Sequence, residues 1–176
     1  MNHDTYSDDY IRAILERTRT IAMVGASSNT VRPSYFVLKY LLEKGYQVFP
    51  VNPGHAGKEF LGQTVYASLA DIPEPVDMVD IFRNSEAAGP ITDQAIEKGA
   101  RTVWMQLSVR NDEAAARAEA AGLDVVMNRC PKIEYGRLSG EIGWAGVNPG
   151  HVTSKRGQLS GNRVQSLGLG KRPGDE

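Results

Sequence analysis

The chain lacks several features that mark out common protein classes. Its 176 residues include one cysteine, Cys130, so an internal disulfide is excluded. The formal net charge is −1, so no overall electrostatic attraction draws the protein to nucleic acid or anionic lipid. No apolar run approaches the roughly 20 residues of a membrane span, and the polar, acidic N-terminus has no signal-peptide layout. These absences predict a cytoplasmic protein without a nucleic-acid or membrane partner.

A metal site and a catalytic set are also missing from the sequence. His55 has no cysteine or second histidine at ligand spacing, so we predict no metal site. Cys130 follows a predicted strand, and its neighbours Arg129 and Lys132 would lower the pKa of its thiol. No histidine lies near it in sequence, however, to act as a base. We identify no catalytic residues, and enzymatic activity stays open.

Short apolar runs alternate along the chain with segments of helical periodicity. Strands are predicted at 21–25, 46–51, 76–82, 102–107 and 123–127, with a short one near 64–66. Helices are predicted at 9–17, 34–44 and 85–98, the last with a kink or restart at Gly89-Pro90. A further alanine-rich helix would be capped by Asn111 and ended by Gly122.

This alternation defines the fold class that we expect. Near-continuous apolar strands separated by helices indicate a parallel sheet covered on both faces. We therefore predict an α/β fold, a Rossmann-like doubly wound and mainly parallel sheet of five or six strands, in one domain spanning 1–149. Beyond it, 150–176 is rich in glycine and basic residues and poor in apolar ones, which predicts a disordered polar tail.

The segment 20–34 predicts an anion site. A buried strand leads into a loop of small residues, which are Gly25, Ala26, Ser27 and Ser28. A helix then begins at Arg32-Pro33-Ser34. Such a loop lets backbone N–H groups and the positive end of a helix face a phosphate. A G-x-G-x-x-G dinucleotide fingerprint would place glycines at positions 27 and 30, which hold Ser27 and Thr30. The loop favours a phosphate-bearing ligand other than a plain dinucleotide.

The end of the second strand separates the candidate ligands further. A site for NAD normally has Asp or Glu there to bind the ribose 2′-hydroxyl. Here the strand ends in Val51-Asn52-Pro53, and Lys58 follows five residues later. A ribose phosphate would suit this loop better than an unphosphorylated diol. Coenzyme A carries a 3′-phosphate and a diphosphate and fits both loops, while NADP fits this one in part.

The remaining strand ends carry cations and amides. Phe82 and Arg83 follow the strand at 76–82, Gln106 ends the next one, and Arg129 follows the last. Arg83 could instead form an ordinary ion pair with Asp80 or Glu86. We interpret Asp77 and Asp80 as structural, since neither stands at the carboxyl edge. Strand ends with cations, amides and hydroxyls but no acids suit a polyphosphate ligand better than acid–base catalysis.

Five motifs together resemble a known family. In chain order they are 24–34 (VGASSNTVRPS), 51–53 (VNP), Ser68-Leu69 to Phe82-Arg83, 104–107 (WMQL) and 126–134 (VMNRCPKIE). This set resembles the small stand-alone CoA-binding domain proteins, which are similar to the N-terminal CoA-binding domain of the succinyl-CoA synthetase α subunit. The resemblance covers about 10–146. It implies a Rossmann-like fold that binds CoA or an acyl-CoA, and it implies no reaction.

Carried over by position, the resemblance assigns a role to each strand end. Gly25, Ala26, Ser27 and Ser28 would lie along the diphosphate, and Arg32 would pair with a phosphate. Val51, Asn52 and Pro53 would flank the adenosine, and Lys58 would approach the 3′-phosphate. Phe82 and Arg83 would border the nucleotide or the start of the pantetheine arm, and Gln106 would lie further along that arm.

Three functions from different classes remain open at this point. The first is a CoA carrier, sensor or regulatory module without catalysis of its own, as a monomer or homo-oligomer. The second is an NAD(P)-dependent oxidoreductase. The third is the CoA-binding subunit of a multi-subunit acyl-CoA ligase with a partner chain. The synthetase needs a further domain with a phosphorylated histidine, whereas the histidines here, His3, His55 and His151, fall in the N-terminal arm, a turn and the tail.

Overall fold

A computed structural model of the protein describes residues 1–141. Within them the chain forms seven strands, in chain order β1 (Thr20–Val24), β2 (Gln47–Val51), β3 (Glu59–Phe60), β4 (Gln63–Thr64), β5 (Met78–Ile81), β6 (Thr102–Met105) and β7 (Asp124–Val126). The short β3 and β4 form an antiparallel hairpin, and the other five strands form the central parallel sheet. The five main predicted strands are confirmed; the first is shifted by one residue, and the other four are shorter than expected.

Five α-helices accompany these strands: α1 (Asp8–Arg17), α2 (Pro33–Glu43), α3 (Ser85–Lys98), α4 (Asp112–Ala120) and α5 (Pro131–Ser139). The predicted caps form, since Asn111 Oδ1 accepts a hydrogen bond from the Ala114 N–H at 2.9 Å. Gly99 ends α3 with a φ of 76°, in the left-handed region that glycine tolerates. Helix α3 is one element that runs through Pro90. Helix α5 was not expected from the sequence.

The order of the parallel strands sets the position of the ligand site. The sheet runs β2-β1-β5-β6-β7, so the chain moves outward from β1 to β2 and then crosses back to β5. Strand order therefore reverses between β1 and β5. In doubly wound sheets, ligands bind in the crevice outside the carboxyl ends of the strands at this switch point.

Helices cover both faces of the sheet, as predicted. Apolar side chains of α1, α2 and α5 pack with Ile21, Met23 and Trp104 on one face. Alanines of α3 and α4 pack with Val79 and Val103 on the other face, where their small side chains allow a close approach. Burial of each large aliphatic side chain stabilises the fold by about 1.5–3 kcal/mol. The α/β Rossmann-like fold class is therefore confirmed.

The predicted domain limit at 149 and the predicted tail, 150–176, lie outside the described residues. Within 1–141, none of the helices combines the length and apolar character that a bilayer crossing needs.

Candidate functional site

A cleft of about 400 Å³ opens at the switch point of the sheet. Its lining comes from the loop after β1, the start of α2 and the residues after β5, and consists of Gly25, Ser27, Arg32, Pro33, Ser34, Phe82 and Arg83. Five of these seven were predicted site residues. Pro33 and Ser34 were recognised as the helix entry without being counted in the site. No carboxylate lines this cleft, so its charge comes from the two arginines.

Gly25 lets the two edges of the cleft approach each other. Its φ is 91°, and its N–H donates to the Val51 carbonyl at 3.0 Å. A Cβ at this position would lie 2.5 Å from the Phe82 carbonyl oxygen, a separation that side chains do not tolerate. The Phe82 N–H in turn donates to the Val24 carbonyl at 2.8 Å. Glycine is required here for both backbone conformation and space.

The loop after β1 contains unbonded backbone donors; Ser27 and Ser28 reach the surface, whereas Ala26 is fully buried. Among residues 1–141, no group accepts a hydrogen bond from the N–H of Ala26, Ser27 or Ser28. The Ser27 hydroxyl accepts from the Asn29 N–H at 3.1 Å, which tightens the turn. Helix α2 begins at Pro33, and its N-terminus carries partial positive charge. We refer to these N–H groups and the start of α2 as the cradle, an arrangement of a kind that can bind an anion.

Two exposed arginines border this cradle. Arg32 precedes Pro33 at the N-cap of α2, and its side chain makes no capping bond. The Arg83 side chain packs against Gly25, so that a Cβ at position 25 would lie 3.1 Å from Arg83 Cδ. Neither arginine takes part in an ion pair with any residue from 1 to 141, so the alternative pairing of Arg83 with Asp80 or Glu86 is wrong. Both guanidinium groups are available to an anion.

The loop after β2 supports the cradle from the side. Asn52 Nδ2 donates to the Ala26 carbonyl at 2.8 Å, and Asn52 Oδ1 accepts from the Gly54 N–H at 3.0 Å. Its amide therefore joins the first two loops. Val51 is buried, whereas Pro53 and Lys58 are exposed. None of these residues lines the cleft, and their predicted roles toward adenosine and the 3′-phosphate stay predictions.

Gln106 lies one strand further along the carboxyl edge and is nearly buried, with 5% of its surface exposed. Its backbone N–H donates to the Ile81 carbonyl at 3.3 Å. Its side-chain Nε2 donates to Asp80 Oδ1 at 2.9 Å and to Oδ2 at 3.2 Å. Burial raises the pKa of Asp80 to about 8, and the Gln106 hydrogen bond opposes that shift. This pair could not be predicted from local sequence, because the two residues are 26 positions apart.

Cys130 differs from the expectation based on its neighbours. The residue is buried, and burial raises the pKa of its thiol to about 11 despite nearby backbone N–H groups and Lys132. The Arg129 guanidinium lies 3.9 Å from the buried Glu134 carboxylate and over the Tyr6 ring. The predicted lowering of the thiol pKa is wrong, because desolvation outweighs the effect of the cations.

A second cleft, of about 350 Å³, opens at the amino edge of the sheet. It is lined in part by Arg12, Arg19, Lys44 and Tyr46, beside the C-terminal ends of α1, α2 and α5. Its basic residues are partly committed, since Arg19 donates to the Glu16 carbonyl and Lys44 pairs with Glu141. Helix C-termini carry partial negative charge and disfavour phosphate. The switch-point cleft is the better anion site.

The fold is Rossmann-like, and the switch-point cleft lies where proteins of this fold class bind their ligands. Residues 19–136 match the family model described as "CoA binding domain". The chain belongs to this CoA-binding domain family, as the resemblance in its motifs indicated.

The chain is similar to proteins of about its own length and to one segment of a much longer ligase subunit. The uncharacterized protein YneT of Bacillus subtilis is 35% identical over 125 residues, which cover 71% of this chain and 91% of YneT. A solved structure of a protein from Pyrococcus horikoshii is 44% identical with a TM-score of 0.75, covering 80% of this chain and 97% of that one. The α subunit of the ADP-forming acetate–CoA ligase I of Pyrococcus furiosus is 30% identical over 89 residues, 48% of this chain and 19% of the subunit. The family is thus related to ADP-forming acyl-CoA ligases.

Proposed function

We propose that the protein binds coenzyme A or an acyl-CoA through its Gly-Ala-Ser loop. The observation that carries this proposal is the unbonded N–H groups of Ser27 and Ser28 at the surface of the loop, in the same region as Arg32 and Arg83. A diphosphate in the cleft would accept hydrogen bonds from the loop and meet both guanidinium groups. Charge-assisted hydrogen bonds of this kind contribute about 1.5–3 kcal/mol each.

The loops also favour CoA over nicotinamide dinucleotides. Glycine at position 25 allows the close approach, but Ser27 and Thr30 replace the other two fingerprint glycines. Val51-Asn52-Pro53 supplies no acid for a ribose diol, and the Asn52 side chain is committed to the neighbouring loop. Lys58 is exposed and unpaired within 1–141, so it is available to a 3′-phosphate.

Calorimetry with five ligands tests the proposal: CoA, 3′-dephospho-CoA, acetyl-CoA, NADH and NADPH. We expect CoA and acetyl-CoA to bind, the dephospho form to bind more weakly, and both nicotinamide nucleotides to bind least. Lys58→Ala should remove the preference for CoA over its dephospho form. Preferential binding of NADPH would instead favour the oxidoreductase class and contradict the proposal.

In the cell, we propose that the protein works in the cytoplasm as a carrier, sensor or regulatory module rather than as a catalyst. Cys130 is a buried thiol with a raised pKa, and the cleft lining includes no group suited to proton transfer.

A second candidate is a CoA-binding subunit of a larger ligase, favoured by the similarity to the Pyrococcus furiosus ligase subunit. Purification from the native organism under mild conditions separates the two. Co-elution with a nucleotide-binding partner and ADP-forming ligase activity of that complex would favour the subunit. Elution alone with bound CoA would favour the independent module.

A further inference from the structure

Asp80 is an unusual residue for the interior of a parallel sheet. It lies in β5 with no exposed surface, between Met23 of β1 and Trp104 of β6 in the register. No ion pair among residues 1–141 includes it, and its described hydrogen-bond partner is the Gln106 amide. A buried carboxyl group without a cation costs several kcal/mol unless it is protonated, and such costs are typical of functional sites.

Gln106 connects this acid to the carboxyl edge. Its Nε2 is committed to Asp80, while no residue from 1 to 141 donates to its Oε1. Because Oε1 has no such donor and is not fully buried, it keeps some exposure to solvent. In this geometry Nε2 faces Asp80, which leaves Oε1 as the free acceptor of the side chain.

The position of Gln106 matches the path of the proposed ligand. Neighbouring strands lie about 4.8 Å apart, so the end of β6 is about 10 Å from the end of β1. A pantetheine arm that leaves a diphosphate at the cradle and passes Phe82 would reach Gln106. The arm contains two amide groups, and their N–H donors need hydrogen-bond acceptors when the arm is bound.

Resting on the proposed function, we propose that Asp80 is a positioning residue for this arm. It holds the Gln106 amide so that Oε1 accepts a hydrogen bond from an amide N–H of pantetheine. Asp80 itself does not touch the ligand. The nucleotide end, bound at the cradle, is independent of the pair.

The test compares CoA with 3′-phospho-ADP, which carries the same phosphates and no arm. Asp80→Leu removes the acceptor of the Gln106 Nε2 group with a side chain of similar size. We expect CoA affinity to fall about threefold to tenfold, the range for one hydrogen bond, while 3′-phospho-ADP changes less than about twofold. Asp80→Asn keeps an acceptor oxygen in place and should retain CoA affinity.

Two further variants separate positioning from packing. Gln106→Leu should lose as much CoA affinity as Asp80→Leu, and the double variant should lose no more than either alone. Met78→Leu changes packing on the same face and strand without touching Gln106, and it should leave both ligands unaffected.

Each outcome decides the inference. Equal losses for both ligands in Asp80→Leu would show a merely structural role, and unchanged CoA affinity would show no role. Failure of the wild type to bind CoA would refute the proposed function and this inference with it. Should Asp80→Leu not fold, NMR of the wild type still decides: the Gln106 side-chain amide signals should shift when CoA is added and not when 3′-phospho-ADP is added. Equal shifts with both ligands, or none with CoA, would contradict the proposed contact.

Discussion

Replacement of Gly25 by alanine tests how the cleft is built. The added Cβ would lie 2.5 Å from the Phe82 carbonyl oxygen and 3.0 Å from its carbon. Both are backbone atoms, so no side-chain rotation relieves the overlap. The φ of 91° adds strain of roughly 1–2 kcal/mol for a residue with a Cβ. Overpacking of this kind costs a further ~1–3 kcal/mol, so we expect a total destabilisation of ~2–5 kcal/mol.

Gly99→Ala is the matched control. Gly99 has a φ of 76°, and a Cβ there would meet no atom within 4 Å. It shares the backbone strain of Gly25→Ala without the clash, and it lies away from the cleft at the end of α3. The difference between the two variants therefore measures the contact between β1 and β5 alone.

Denaturant unfolding and calorimetry provide the readouts. Gly25→Ala should be less stable than Gly99→Ala by ~1–3 kcal/mol, which corresponds to a Tm lower by about 3–10 °C. It should also lose more than about tenfold in CoA affinity, a cost above 1.4 kcal/mol, because the loop must shift to relieve the clash. Equal stability of the two variants, with CoA binding intact in both, would refute the described approach of Gly25 to Phe82.

Three other predictions concern charge and titration. Arg32→Ala should weaken CoA binding by about 1.5–3 kcal/mol by calorimetry, because it removes a charge-assisted contact. Asp80→Asn should change how the free energy of unfolding depends on pH. In the wild type, folding raises the pKa of Asp80 from its ordinary value of 3.8 to about 8. Wild-type stability should therefore fall as the pH rises between these two values, because the folded state keeps a proton that the unfolded state has lost. The variant should lack this slope, which is at most ~1.4 kcal/mol per pH unit. Cys130 should react with a thiol reagent at pH 8 at least about 100-fold more slowly in the folded than in the unfolded protein, since burial raises its pKa to about 11.

Each of these predictions has its own control and its own contrary result. For Arg32, the control is Arg12→Ala, which removes the same charge from the amino-edge cleft; a larger effect there would relocate the ligand. For Asp80, parallel stability profiles of wild type and variant would contradict a protonated buried acid. For Cys130, fast modification of the native protein would show that the thiol is accessible.

The sheet and most helices could be predicted because local signals set them. Apolar runs of five or six residues produce strands, and Asn111, Gly99 and Pro33 fix helix ends through their own backbone chemistry. The carboxyl-edge cleft followed from topology, since parallel strands bring their ends together. Gly25, Ser27, Arg32, Phe82 and Arg83 were predicted in this way and do line it.

The features that were missed depend on the fold as a whole. Helix α5 has a weak amphipathic pattern, and its stability comes from packing against α1 and α2 and from the Arg137–Glu134 pair. The Asp80–Gln106 bond joins residues 26 positions apart, and local sequence cannot show that pairing. The burial of Cys130 likewise depends on the surrounding helices. Neighbouring cations alone therefore gave the wrong sign for its pKa shift.

A crystal structure of the protein with CoA tests the central claim most directly. We predict the diphosphate at the switch-point cleft, with its oxygens within hydrogen-bond distance of the Ser27 and Ser28 N–H groups and beside Arg32. CoA bound at the amino-edge cleft, or a switch-point cleft left empty at saturating CoA, would contradict it.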